Sequence, residues 1–148
     1  MTQLPLFAAA LSLGLATTAQ SANLRDCDTF EANARNLSYP YEQATKTYAE
    51  GAISLLNLFL DEPACCGAHL MVLFPAGDEG FLDCQLISHE DQLGYASLSL
   101  ANASASYDAA RGLIISVPSQ IDVDGELLSG RLLIAVNQQQ GTIEVRDQ

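Results

Sequence analysis

Between residues 52 and 145 the chain is divided into short apolar stretches by turn-forming residues. Several of these stretches alternate in polarity, as in YASLSLAN, where Ala96, Leu98 and Leu100 alternate with serine, tyrosine and alanine. A period of two places successive side chains on opposite faces and indicates half-buried antiparallel strands. Seven or eight such strands, spaced by ~8–12 residues, predict a mainly β fold, an antiparallel β-sandwich or a small barrel.

The limits of the predicted strands follow from prolines, glycines and acidic residues. PAGDEG after the second strand predicts a hairpin turn, and Asp124-Gly125 predicts a tighter one. Pro118 is expected to end a strand, since proline cannot donate to a ladder. The leucine-rich first stretch also fits a helix. The predicted strands span 52–60, 68–74, 81–88, 95–102, 112–118, 131–136 and 142–145.

A short N-terminal helix is predicted over residues 27–38. Phe30, Ala34 and Leu37 recur there at helical spacing, and Pro40 follows as a breaker. The sequence shows no alternation of strands with helices and no glycine-rich phosphate loop, so an α/β nucleotide-binding fold is not expected.

The four cysteines, Cys27, Cys65, Cys66 and Cys84, predict two structural disulfides. Neighbouring Cα atoms lie ~3.8 Å apart across a trans peptide, whereas a disulfide prefers ~4.4–6.8 Å. Cys65 and Cys66 are therefore expected to have different partners. Pairing Cys66 with Cys84 and Cys27 with Cys65 is slightly favoured over the alternative of Cys65 with Cys84 and Cys27 with Cys66.

The cysteines do not have the spacing of a metal or redox site. Structural zinc sites separate paired cysteines by two to four residues, and a thioredoxin-type pair needs a C-x-x-C motif. The chain has neither arrangement, although both of its histidines, His69 and His89, lie near the cysteines in sequence. We therefore interpret the cysteines as structural.

The N-terminus has the pattern of a signal peptide. Residues 4–16 form an apolar run, too short to span a bilayer, and small residues follow it up to Ala22. We predict a signal peptide over 1–22 and a single disulfide-stabilised β-rich domain over 23–148. The protein is then periplasmic or extracellular, where disulfides persist, and makes no membrane contact after cleavage.

The chain is strongly acidic, with 18 Asp and Glu, 6 Lys and Arg and a net charge of −12. Nucleic acids and anionic membranes attract basic clusters and are unsuited as partners. The charge serves solubility or attracts a cationic protein. If consecutive strands are antiparallel, two acidic loops share one end of the sheet. Asp61, Glu62, Glu90 and Asp91 are the candidate partner-binding residues.

No catalytic motif or cofactor signature is found in the sequence; G-x-S-x-G is absent. We interpret the protein as an exported, non-enzymatic binding domain of unknown ligand, and we expect no cofactor. One alternative is an inhibitor of a basic secreted enzyme such as a peptidoglycan hydrolase. Another is a metal-binding protein using His69 and His89 with nearby carboxylates. Among five tyrosines that could form a binding face, Tyr39 and Tyr41 are the best candidates.

Overall fold

The computed structural model describes residues 22–61, 65–77, 80–90 and 93–148. Over these ranges the chain forms two antiparallel five-stranded sheets, which confirms the predicted mainly β sandwich. The strands are β1 Asn23–Asp26, β2 Thr45–Tyr48, β3 Ile53–Phe59, β4 Ala68–Pro75, β5 Leu82–Ser88, β6 Ser97–Leu98, β7 Ser104–Asp108, β8 Gly112–Val123, β9 Glu126–Asn137 and β10 Thr142–Asp147. The first sheet has the order β1-β5-β4-β3-β2, and the second has the order β10-β9-β8-β6, with β7 also paired to β8.

The core lies between the two sheets. Alternate residues of β3, β4 and β5 meet alternate residues of β8 and β9, as the period of two predicts. Tyr95 is fully buried among them. The main core side chains of the strands are Ile53, Leu55, Leu70, Val72, Phe74, Ile87, Ile115, Val117, Leu132, Ile134 and Val136.

The chain between β1 and β2 crosses the outer face of the first sheet. β1 and β2 are the two edge strands of that sheet, so the connection must pass over β5, β4 and β3. Cys27 is bonded to Cys84 of β5 at one side, and Leu37 forms a bridge with Leu58 of β3 at the other. Leu58 and Leu86 are buried although they alternate with core positions, because this crossing covers them.

The helix predicted over 27–38 is wrong. Within that range only Ala34–Asn36 is helical, as a single 3-10 turn, and a four-residue α-helix, α1 (Tyr41–Ala44), follows Pro40. The apolar side chains that suggested a helical face instead belong to the irregular crossing over the sheet. This crossing is held in place by the disulfide, by the backbone bridge at Leu37 and by local hydrogen bonds from side chains to the backbone. Its conformation is therefore fixed without a helix.

The predicted disulfide connectivity is also wrong. Cys27 is bonded to Cys84, and Cys65 is bonded to Cys66 across a cis peptide with a Cα–Cα distance of 3.2 Å. The reason is the pairing of β1 with β5, which places Asp26 opposite Gln85 and so brings Cys27 beside Cys84. No cysteine is free. Two disulfides fit a periplasmic or extracellular protein.

Several strand limits differ from the prediction. β8 does not end at Pro118 but continues through it. Pro118 lies between the part of β8 that pairs with β7 and the part that pairs with β6, so no hydrogen bond from its nitrogen is needed at this position. The stretch 95–102 forms only the two-residue β6, while β7 was not predicted. The 75–80 turn connects β4 to β5 as expected, although Asp78 and Glu79 lie outside the described residues.

The predicted signal peptide lies outside the described residues except for Ala22. Ala22 is buried and belongs to the core cluster, directly before β1. In the described part of the chain, no helix has the length and apolar character needed to cross a membrane.

Candidate functional site

The loops at 61–67 and 89–94, which were predicted to share one end of the sheet, contact each other at one end of the sandwich. The Gly94 N–H donates to the Cys66 carbonyl at 2.9 Å, and Ala68 and Tyr95 exchange backbone hydrogen bonds. Asp61 is exposed in the first loop, and half of the Glu90 side chain is exposed in the second. Glu62 and Asp91 lie outside the described residues. We call this end of the molecule the acidic end.

A two-stranded extension, which we call the arm, leaves the sandwich at the same end. The arm is the distal part of the β8–β9 hairpin, residues 121–128. The last partner of β8 before it is β6, at Ser97 opposite Gln120, and on the other side Gln148 exchanges backbone hydrogen bonds with Arg131 of β9. Within the described residues, the arm strands therefore pair only with each other. No described residue pairs with their outer backbone edges, and natural sheets usually protect such edges.

The arm exposes apolar side chains that folding does not bury. The exposed fractions are 44% for Val123, 55% for Leu127 and 42% for Leu128. Because Leu128 lies opposite Ile121 and Leu127 lies opposite Asp122, the two leucines are on different faces of the arm. Ile121 still packs against the core. Val123 is two residues from Ile121 and so shares a face with Leu128, which leaves two exposed apolar side chains on one face and Leu127 on the other. Exposed apolar side chains that cluster in this way are typical of a protein interaction site.

Acidic side chains surround the tip of the arm. Asp124 and Gly125 form the predicted turn with positive φ angles of 54° and 86°, and the Asp122 carboxylate accepts a hydrogen bond from the Gly125 N–H at 2.9 Å. Asp124 and Glu126 are exposed. The arm is thus a pre-formed, negatively charged ribbon with apolar sides, and it adds three acids to the acidic end.

A buried polar cluster joins the two sheets beneath the acidic end. Asp147 of β10 accepts a hydrogen bond from the Tyr95 hydroxyl at 2.8 Å, and its other carboxylate oxygen lies 3.2 Å from His89 Nδ1. Burial, followed by the negative charge and hydrogen bond of Asp147, raises the pKa of Tyr95. Tyr95 therefore stays protonated and acts as a permanent donor to Asp147. The sequence did not indicate this cluster, since Asp147 is distant from the loop in sequence.

A second polar cluster lies under the crossing segment, on the outer face of the first sheet. His69 Nδ1 lies 2.8 Å from Ser88 Oγ, and Ser88 also accepts from the Arg25 guanidinium at 3.0 Å. Arg25 in turn forms an ion pair with Glu31 at 3.4 Å. Ser88 and His69 are almost fully enclosed, at 0% and 2% exposed. An enclosed serine–histidine pair of this kind serves the fold, because a nucleophile must be reachable by its substrate.

The second cluster predicts acid sensitivity. Burial lowers the pKa of His69 below 6.5, with Glu31 opposing and Arg25 adding to the shift. The folded protein therefore takes up fewer protons than the unfolded chain, and the free energy of unfolding should fall as the pH drops below ~6.5, by at most ~1.4 kcal/mol per pH unit for this one group. In His69→Asn, whose amide can bond Ser88, the slope between pH 7 and pH 5 should be smaller. Urea unfolding at stepped pH measures it, and equal slopes would contradict the assignment.

Glu31 extends the same trend to lower pH. Burial alone would raise the pKa of Glu31, but hydrogen bonds from its own backbone and from Thr29, together with Arg25, outweigh burial and lower the pKa below 4.5. Its contribution to stability is therefore present above the ordinary glutamate pKa and is lost at more acidic pH.

The described residues contain no group of three or more His, Cys, Asp or Glu side chains placed to hold a metal ion. His69 contacts Ser88 on the outer face of the first sheet, and His89, the residue after Ser88, contacts Asp147 on the inner side. The two histidines are thus engaged in separate clusters, and all four cysteines are in disulfides.

Comparison with known proteins finds no family model, curated protein or solved structure that matches this chain.

Proposed function

We propose that the protein is an exported, non-enzymatic interaction domain that binds a cationic protein through its acidic end. The observation that carries the proposal is the arm, which combines open backbone edges, exposed leucines and an acidic tip in one extension. A charge that serves solubility alone needs no exposed apolar side chains beside it. A partner-binding surface needs both, since apolar contact supplies affinity while charge supplies steering and specificity.

Export is part of the proposal. Its support is the signal-peptide pattern of residues 1–22 and the two disulfides, which persist in the periplasm or outside the cell.

The shape of the arm favours an inhibitor of a basic secreted enzyme, for instance a peptidoglycan hydrolase. A single ribbon of two strands, ending in the Asp124-Gly125 turn, is narrow enough to enter an enzyme cleft. Asp122, Asp124 and Glu126 would then meet cationic side chains lining that cleft, while Leu127 and Leu128 would pack on its walls. Asp61 and Glu90 would contact the rim.

The test is binding to a panel of basic secreted hydrolases while the salt concentration rises from 0.01 M to 0.15 M. Over that range the Debye length falls from ~30 Å to ~8 Å, which removes long-range steering but leaves close contacts. We expect one hydrolase to stay bound at 0.15 M. The triple variant Asp122→Asn, Asp124→Asn and Glu126→Gln and, separately, the variant Leu127→Ser with Leu128→Ser should each weaken that binding at least about tenfold, or ~1.4 kcal/mol.

A matched control removes the same number of charges elsewhere. Glu42, Glu50 and Glu144 are exposed and lie outside the acidic end, so their change to glutamine should leave the retained binding within about twofold. Equal loss in the control and arm variants would show that only net charge matters. Weak binding of every basic protein that salt abolishes would also contradict the proposal.

A further inference from the structure

We infer that the arm binds its cationic partner by strand addition, in which one extended segment of the partner pairs with the outer side of β9. The inference rests on the proposed function, because it states how the arm contacts that partner. The surface is the part of β9 at the arm and its base, residues 126–130, which we call the arm edge. The contact then has one edge, one strand direction and one kind of partner sequence.

The arm edge presents four backbone groups that no described residue bonds. In an antiparallel strand the N–H and C=O groups of alternate residues point to the same side. The N–H and C=O of Arg131 point away from β8, since they exchange hydrogen bonds with Gln148 at 2.8 and 2.9 Å. Ser129 and Leu127 point the same way, because the register of β8 with β9 is continuous up to the turn. Both residues are exposed, so a further strand can reach them.

The opposite edge of the arm offers fewer backbone groups. On β8, the Gln120 carbonyl accepts a hydrogen bond from the Ala96 N–H at 2.8 Å, so Gln120 points outward. By the same alternation, Asp122 is the one further residue of β8 that points outward before the turn. An added strand therefore gains hydrogen bonds at two residues of β9 but at one residue of β8. This difference favours the arm edge.

The arm edge lacks the features by which natural edge strands avoid pairing. Such strands carry proline, lysine or other charged side chains, or a β-bulge. The sequence LLSG at 127–130 contains no proline and no charged residue, and no bulge interrupts its register with β8. The arm edge is thus suited to the mode of recognition in which an extended peptide adds a strand to a sheet.

The side chains of the arm edge define the partner sequence that fits it. β10 and Gln148 are antiparallel to β9, so a strand that continues their ladder has the same direction. From its first residue onward it lies opposite Ser129, Leu128, Leu127 and Glu126. Directly opposed side chains favour apolar pairs and opposite charges. The partner segment should therefore have the order polar, apolar, apolar, basic, and a second basic residue after these would lie beside the acidic tip.

Charge disfavours a second copy of this chain as the occupant of the arm edge. Two arms paired along this edge would bring together two acidic tips, each with Asp122, Asp124 and Glu126, from chains with a net charge of −12. A cationic segment is attracted by the same three acids. The occupant that fits is therefore a basic strand from another protein.

The first test is hydrogen exchange of the ¹⁵N-labelled protein in complex, at 0.15 M salt, with the hydrolase that the panel identifies. The Leu127 and Ser129 amides should exchange at least about tenfold more slowly than in the free protein, because both become hydrogen-bonded. The Asp122 amide, on the other edge, should be slowed less. Unchanged exchange of Leu127 and Ser129 in a complex that does form would overturn the inference and leave the proposed function intact.

A short peptide tests the arm edge without any hydrolase. The probe is an acetylated and amidated peptide of threonine, valine, valine, arginine and lysine in that order, and its control has the reverse order. At millimolar concentration the probe should cause saturable shifts of the Leu127 and Ser129 amides, and the control should shift them less. This result without a bound hydrolase would support strand addition and contradict the proposed partner class. Equal shifts with both peptides, or no saturable shift with either, would overturn the inference.

Ser129→Pro removes one outward donor but leaves the β8–β9 ladder intact. Proline is tolerated in a strand where its nitrogen is not needed by the ladder, and Pro118 already has such a position opposite Arg131. The variant should weaken binding of the retained hydrolase at least about tenfold. Ser129→Ala, which keeps the N–H, should bind within about twofold of the unmodified protein. The other amide signals report whether both variants keep the fold.

Two further outcomes would overturn the inference. Equal binding of the hydrolase by Ser129→Pro and Ser129→Ala would show that the outward N–H takes no part in the contact. Slower exchange of the Leu127 and Ser129 amides as the concentration of the protein alone rises would identify a second copy of the chain as the occupant of the arm edge.

Discussion

Replacing both Cys27 and Cys84 by serine should lower the free energy of unfolding by about 4 kcal/mol. The disulfide joins residues 57 positions apart, and the chain-entropy model assigns a loop of that length roughly this stabilisation. The bond also fastens the start of the crossing segment to β5, above buried Leu86 and Ser88. Its removal should therefore loosen the crossing first. Urea unfolding measures the loss, and amide hydrogen exchange locates it.

The second disulfide is the control for this prediction. Cys65 and Cys66 are adjacent, so their bond closes almost no loop, and the same model assigns it only ~1 kcal/mol. The double variant that carries Cys65→Ser and Cys66→Ser should therefore unfold at a urea concentration close to that of the unmodified protein. Similar losses in the two double variants would show that loop closure does not govern the contribution of these disulfides.

The strands of the sandwich could be predicted because their signal is local. The β4–β5 hairpin and the β9 and β10 strands follow from alternation and from turn residues that are close in sequence. The sandwich itself follows from the number and spacing of these strands. Tertiary context decides the shorter elements. None of the side chains of β7 is buried, so its sequence carries little alternation in hydrophobicity.

The cysteine pairing could not be predicted because it depends on a contact that is distant in sequence. The local argument considered the β4–β5 hairpin, which brings Cys84 towards the start of β4. The pairing of β1 with β5 brings Cys27 still closer, and nothing in the four residues Asn23–Asp26 marks them as an edge strand. The same reason explains the helix that was wrongly predicted over 27–38, since a segment that crosses a sheet buries its apolar residues at irregular spacing, which can resemble a helical period.

The candidate site was predictable only in part. The meeting of the 61–67 and 89–94 loops follows from antiparallel strand order, and the structure has it. The arm does not follow from the sequence, because a strand that continues past its neighbours has the same pattern as a strand inside a sheet. The length mismatch between twelve-residue β8 and two-residue β6 is visible only once the pairing is known.

Gly94→Ala should destabilise the protein by at least about 3 kcal/mol, at the upper end of what overpacking costs. A Cβ atom at this position would lie 2.5 Å from the Ala68 carbonyl oxygen, 2.7 Å from the Cys66 carbonyl oxygen and 2.9 Å from the Ala68 nitrogen. All three are backbone atoms, so no side chain can rotate away to make room. The backbone must shift instead, which breaks the hydrogen bond between the Gly94 N–H and Cys66.

Gly125→Ala separates this steric effect from the general cost of replacing glycine. A Cβ atom at Gly125 would meet nothing within 4 Å, and only its positive φ of 86° is unfavourable, at ~1–2 kcal/mol.

Because Gly94 joins the two loops of the acidic end, Gly94→Ala should also weaken binding of the cationic partner in protein that remains folded. Thermal unfolding of both variants tests the first expectation. Equal losses of stability would mean that the loops can separate freely, and the acidic end would then not be the pre-formed surface on which the proposed function depends.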